Sequence, residues 1–171
     1  AISNVLNGEV NPSGKLPYTY PKYDGVIEAY DRTFFDDKSG KNNNSAFDPQ
    51  WEFGHGLSYT NFKYSNLMLS KTNFKNENDS IVASITIENT GNKSGKEVIQ
   101  WYIRDEYATV APAIKKLKHF EKIDLKPGEK KVVNFTIKKE QLQFIDANNQ
   151  FIIEPGSFKL LVKELQVDFR Y

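Results

Sequence analysis

The 171-residue chain contains no cysteine. That absence removes disulfide bridges, thiolate nucleophiles and zinc–sulfur centres together, and it is compatible with either redox compartment. Histidine is nearly as scarce. With only His55 and His119, neither a histidine metal site nor a Ser–His–Asp constellation has much to draw on. An excess of charge of one sign is missing as well: Lys and Arg number 23 against 22 Asp and Glu, a net charge of +1. A nucleic-acid footprint needs a basic excess on one face, so no nucleic-acid partner is expected. No apolar run approaches the ~20 residues of a membrane helix, so no membrane partner is expected either. No signal peptide is present, and secretion cannot be read from this stretch itself.

What the chain does have is a 39% hydrophobic content, enough for a core, and length for one domain with some excess. Its aromatic residues, 12 Phe, 9 Tyr and 2 Trp, fit the filling of a β-sandwich core better than a sugar-stacking surface.

The chain changes character at Phe62. Beyond it, short apolar segments alternate with turn signals at the spacing of an all-β sandwich. Residues 62–69 form the first strand candidate. In residues 81–89, Ile81, Ala83, Ile85 and Ile87 share one face, and Ser84, Thr86 and Glu88 share the other. Residues 97–104 place Ile99, Trp101 and Ile103 together, which assigns Trp101 to the core. In residues 116–125, Phe120 breaks the parity of Leu117, Ile123 and Leu125, and a bulge is expected there. Lys126-Pro-Gly-Glu129 turns into residues 131–137. Residues 144–146 and 151–153 form a short pair across Ala147-Asn-Asn149. Residues 158–162 form a final alternating strand, with Leu165, Val167 and Phe169 as its continuation after a break. About seven strands in this length predict an immunoglobulin-like Greek-key sandwich over residues 62–171.

Residues 1–61 read differently. The start resembles the last turns of a helix stopped at Gly8, Asn11-Pro-Ser-Gly14 reads as a turn, and residues 15–20 are at best an edge strand. Residues 36–45 are almost wholly polar and are expected as an exposed loop. Nothing here builds a core of its own, so the segment reads as a piece of a larger domain.

Three stretches in order resemble glycoside hydrolase family 3. Val5-Leu-Asn-Gly-Glu-Val-Asn-Pro-Ser-Gly-Lys-Leu-Pro17 is similar to the close of that family's second catalytic domain. Asp48-Pro-Gln-Trp-Glu-Phe-Gly-His-Gly-Leu-Ser-Tyr-Thr60 is similar to the signature ahead of its terminal domain. Asn89-Thr-Gly91, Gly95-Lys-Glu-Val98, Leu117-Lys-His-Phe120, Leu125-Lys-Pro-Gly-Glu129 and Glu154-Pro-Gly156 follow its fibronectin-type-III-like domain. The resemblance implies a β-sandwich preceded by an irregular remnant of an α/β sandwich domain, with residues 1–61 and 62–171 as the two parts. It implies a parent of β-glucosidase or β-xylosidase type, secreted or periplasmic. That parent acts on terminal β-linked oligosaccharides through upstream barrel and α/β domains. The family pattern does not align over residues 33–46.

The retaining mechanism that the resemblance implies needs a carboxylate nucleophile and an acid/base. In the family both lie upstream of the retained segment, so no catalytic residue is expected in this chain. Glu97, Glu121, Glu129 and Glu154 read as exposed solubilising charge. Asp36-Asp37 lacks the alternating oxygen ligands of a calcium loop, and neither a metal nor a cofactor is expected. Tyr30, Asp31 and Arg32 are the one group the resemblance places near the parent's sugar cleft. Trp51, Phe53, Gly54, His55, Gly56, Leu57 and Tyr59 are expected at a domain interface. There the two glycines allow close backbone approach or a left-handed φ. His55 is the tempting general base, but an imidazole hydrogen-bonded near that interface is the preferred reading. The rival to the enzyme fragment is an autonomous immunoglobulin-like module that binds glycan or protein.

Overall fold

The computed structural model describes residues 2–27, 29–33, 48–76 and 78–171. The expected loop at 36–45 lies outside the described residues. From Phe62 onward the chain forms β1 (Phe62–Leu69), β2 (Ser80–Asn89), β3 (Gly95–Asp105), β4 (Lys116–Leu125) and β5 (Lys130–Lys138). The short hairpin β6 (Phe144–Ile145) and β7 (Phe151–Ile152) follows, then β8 (Ser157–Val162) and β9 (Leu165–Arg170). One sheet runs β1-β2-β5 and the other β4-β3-β8-β9, each antiparallel throughout. This is an all-β sandwich of the fibronectin type III kind.

Alternation places the core. Ile81, Ala83, Ile85 and Ile87 of β2 face Ile99, Trp101 and Ile103 of β3, with Val133, Phe135 and Ile137 of β5 and Phe158, Leu160 and Val162 of β8 closing the cluster. Trp101 is 0% exposed and sits 5.6 Å from Phe135, centroid to centroid.

Two bulges reset the alternation. In β1, Ser65 pairs with Thr86 and Met68 with Ser84, so one residue is surplus; Asn66 takes φ 54, a left-handed value that Asn tolerates. The inward parity therefore passes from Phe62 and Tyr64 to Leu67 and Leu69, all four packed against the core. In β4 the surplus residue is Lys118, between His119 opposite Trp101 and Leu117 opposite Tyr102. The irregularity expected at Phe120 thus lies two residues earlier. Phe120 itself is in register with Gln100 and is 64% exposed. Leu117 shares the face of Tyr102, not that of Ile123 and Leu125.

Residues 163–164 also differ from expectation. Val162 pairs with Leu165, so the chain reverses there instead of running on, with Lys163 at φ 56. The 144–153 hairpin forms across Asn149, φ 61.

Before β1 the regular structure is slight. A short helix, α1 (Ile2–Leu6), ends at Gly8, φ 75. No hydrogen-bonded turn forms at 11–14. In place of an edge strand, residues 16–20 make a few backbone pairs with 51–55: Leu16 N to His55 O (2.8 Å), Gly54 N to Leu16 O (2.8 Å) and Tyr20 N to Trp51 O (2.8 Å). We call these two segments, with their flanks at 11–15 and 56–60, the strap.

Candidate functional site at the flank of the sandwich

β8 pairs with β3 only from Tyr102 to Asp105, which leaves the first half of β3 without a neighbour on that side. An open strand edge invites stray pairing unless something covers it. The strap lies there. Gly54 packs on Gln100, where an added Cβ would come within 2.4 Å of the amide oxygen, and Gly54 holds φ 82. Gly56 passes so close to the strap's other segment that a Cβ would sit 2.2 Å from the Gly14 carbonyl oxygen. One glycine serves by conformation and the other by lack of bulk.

The strap is fastened by polar contacts. Lys15 Nζ reaches Glu97 Oε2 at 3.2 Å, and Tyr64 Oη donates to Glu97 Oε1 at 2.9 Å. Glu97 is 7% exposed, so it is a buried, doubly engaged anion and not a solubilising charge. The reason was present in the strand period: Glu97 has the parity of Ile99 and Trp101. Burial, with the neighbouring Glu97 charge, pushes the Tyr64 hydroxyl far above the usual tyrosine range. Glu154 is also engaged, accepting from Thr109 N (2.9 Å) and Thr109 Oγ1 (2.5 Å), and Glu129 accepts from Lys126 N (2.8 Å) to close its turn. Only Glu121 of the four is without such a contact among the described residues.

A second fastening is built on two asparagines that the sequence did not single out for this role. Asn11 Oδ1 accepts from Ser58 Oγ (3.0 Å) and Tyr59 N (2.8 Å), and its Nδ2 donates to Ser94 O (3.1 Å). Asn89, 0% exposed, accepts from Thr60 Oγ1 (2.6 Å) and Gly91 N (3.1 Å), and donates to Lys93 O (2.8 Å) and Leu125 O (3.0 Å). Both lie in turn-rich stretches, where Asn reads as local turn chemistry; their partners up to 83 residues away leave no local trace.

The Tyr30, Asp31 and Arg32 group sits on the same flank. Tyr30 stacks on Phe53 at 4.3 Å, and Phe53 meets the edge of Tyr102 at 6.5 Å. Ile114 N donates to Arg32 O at 2.8 Å, and Thr33 bridges Ala113. Asp31 stands in the turn between them with no side-chain contact among the described residues. His55 is exposed and lies face to face with Trp51, 6.1 Å between centroids. Among the described residues its imidazole makes no hydrogen bond. Trp51 in turn meets Tyr20 edge-on at 5.1 Å, and Tyr59 Oη donates to Val5 O at 2.7 Å.

The residues before β1 leave much apolar surface exposed. Ile2, Leu6, Tyr23, Ile27 and Leu57 are all exposed, Leu57 to 74%. Of the nineteen large apolar or aromatic residues that are markedly exposed among the described residues, eleven precede residue 62. No group of three or more His, Asp or Glu that could hold a metal occurs among the described residues. No helix there is long and apolar enough to cross a membrane.

A fibronectin-type-III-like sandwich with a strap across an open strand edge is the class that this geometry defines. Family models agree with both parts: the glycosyl hydrolase family 3 C-terminal domain matches residues 1–59, and the fibronectin type III-like domain matches residues 97–166. The chain is 40% identical over 172 residues to a periplasmic β-glucosidase of Salmonella typhimurium, covering 95% of this chain and 22% of that protein. It is 38% identical over 165 residues to a β-xylosidase of Formosa agariphila, covering 95% and 23%. A solved β-glucosidase from Erythrobacter marinus superposes with a TM-score of 0.86 at 33% identity, covering 99% of this chain and 23% of that one. The chain belongs to glycoside hydrolase family 3 and corresponds to the C-terminal part of its members. It spans less than a quarter of the length of these relatives.

Proposed function

We propose that this chain is the terminal, non-catalytic portion of a β-glucosidase or β-xylosidase, and that its sandwich braces the catalytic domains. The observation that carries the reading is the strap. It is closely fitted where it meets the sandwich, and the residues around it before β1 leave large apolar side chains exposed. Exposed apolar surface on that scale belongs against another protein surface. On this reading residues 1–61 are the end of the α/β catalytic domain with its linker, and residues 62–171 are the terminal domain. Trp51, Phe53, Gly54, His55, Gly56, Leu57 and Tyr59 then mark the junction, with Tyr30, Asp31 and Arg32 on the loop nearest the sugar cleft. The parent would hydrolyse terminal β-linked sugars by the retaining route, with both catalytic carboxyl groups upstream. Its compartment would be the periplasm or the exterior, in keeping with the Salmonella relative's description.

Three assays test this. The purified 171-residue chain should release no nitrophenol from aryl β-glucosides or β-xylosides, and the parent enzyme should lose thermal stability when residues 62–171 are removed. Turnover abolished by a carboxylate substitution within this chain would overturn the non-catalytic assignment. An unchanged melting temperature would remove the bracing role, and retention of the isolated chain on a glycan gel would favour a binding module instead.

A further inference from the structure

The bulge in β4 has a chemical consequence. An extra residue bends a strand and re-aims the side chains around it. His119 lies flat on Phe135, 5.2 Å between centroids, and Lys118 turns into a cavity of about 180 Å³ beyond the end of the core. Ile103, Leu142 and Phe158 line that cavity from the core, and Pro112 lines it from the β3–β4 connection. Lys116 lines it too. Neither ammonium makes an ion pair or a side-chain hydrogen bond among the described residues. Burial, and secondly the charge of Lys116, hold the Lys118 amine below the usual lysine range. Asp105 also lines the cavity, but it accepts from Tyr107 N (3.1 Å) and pairs with neither lysine.

The lining is mixed, with Gln141 and Gln143 beside the apolar residues, and a half-buried, unpaired cation there is a cost that folded proteins normally offset with an anion. Size narrows the choice of anion. A cavity of roughly 150 Å³ accepts benzene, whereas drug-sized ligands occupy about 300 Å³ or more. We propose that this cavity binds a small monocarboxylate with an apolar body, its ring or chain on Ile103, Leu142 and Phe158 and its carboxylate between Lys116 and Lys118. The inference does not depend on the glycosidase reading.

The test is a nuclear magnetic resonance titration of the 171-residue chain with benzoate, and with benzamide as the neutral isostere. Benzoate should give saturable shifts at the Lys118 Cε and Ala111 methyl resonances, with a dissociation constant of about 1 mM. Benzamide should bind about tenfold more weakly or worse, and Lys118→Gln should weaken benzoate about tenfold with the melting temperature unchanged. Bound benzoate should also raise the midpoint at which the Lys118 amine titrates. Absence of saturation, equal binding of benzamide, or shifts confined to another surface would each overturn the proposal. If Lys118→Gln fails to fold, Lys116→Gln at the exposed start of β4 takes its place, and unchanged benzoate affinity there overturns it as well.

Discussion

Truncating Glu97 offers the sharpest check on how the strap is held. The carboxylate is almost buried, and its two partners differ in their alternatives: the Lys15 side chain is 19% exposed, whereas Tyr64 is largely enclosed. Removing one member of a fully buried pair costs roughly 3–5 kcal/mol, because the other charge is left uncompensated. Here Lys15 can swing its ammonium toward water, which lowers that share. A buried hydroxyl stripped of its acceptor adds about 1–3 kcal/mol. Glu97→Ala should therefore destabilise the chain by about 3 kcal/mol. Glu97→Gln keeps an acceptor for Tyr64 and should cost about 1–2 kcal/mol. In urea unfolding, a cycle with Lys15→Met and Glu97→Gln should show a coupling of about 1 kcal/mol or more. A Glu97→Ala loss under about 1 kcal/mol, or a cycle with no coupling, would mean that the contact does not fasten the strap and that the reasoning from burial fails.

Further predictions follow from single sites. Trp101→Ala should cost about 3–5 kcal/mol in urea unfolding, whereas Trp101→Phe should cost less than its lost volume implies, because the buried indole N–H has no partner. Asn89→Ala strands four polar groups at the junction of strap and sandwich and should cost about 3 kcal/mol or more; Asn89→Asp, which keeps the acceptor for Thr60 and Gly91, should also lose stability through its two missing donors. The Asp79 carboxyl is held down to about 2, first by its hydrogen bond from Lys71 and then by Lys75 N. A folded value below the unfolded one means that its contribution is present above the ordinary range near 3.8 and is lost as pH falls through about 2. Carbon-detected titration should find that midpoint, and Lys71→Met should raise it.

The strands were legible because burial on one face writes itself into the sequence every second residue. That is why β2, β3, β5 and β8 could be placed within two residues of their ends. The bulges were not legible in the same way. Asn66 and Lys118 carry no mark of being surplus, since a bulge is a property of the pairing and not of one strand. Phe120 hides the register for a related reason: an exposed aromatic on the outer face of an edge strand has the pattern of a parity break. The burial of Glu97 is legible in its parity with Ile99 and Trp101, which outweighs the ordinary preference of a carboxylate for the surface. The junction was the least accessible part. Its fastenings join residues 29 to 83 positions apart through side-chain and backbone pairs that have no period, so only the two glycines of Gly54-His-Gly56 announced that something passes close by.

The division of labour across the strap follows from what each kind of contact can do. Apolar burial is strong but undirected, and it fixes two bodies together without specifying their register. Hydrogen-bonded and charged contacts contribute modest net stability, yet an ill-placed partner leaves buried polar groups unsatisfied, so they discriminate among geometries. The strap meets the sandwich largely through the second kind, in Lys15 on Glu97, Asn11 on Ser94 and Thr60 on Asn89, with Phe53 on Tyr102 as an apolar contact. The residues before β1 leave the first kind exposed, in Ile2, Leu6, Tyr23, Ile27 and Leu57. On the proposed reading, the sandwich sets where the strap lies and the upstream domains supply most of the energy that holds it. The Tyr30–Phe53–Tyr102 stack then becomes the link through which the position of the sandwich bears on the loop that carries Asp31 and Arg32.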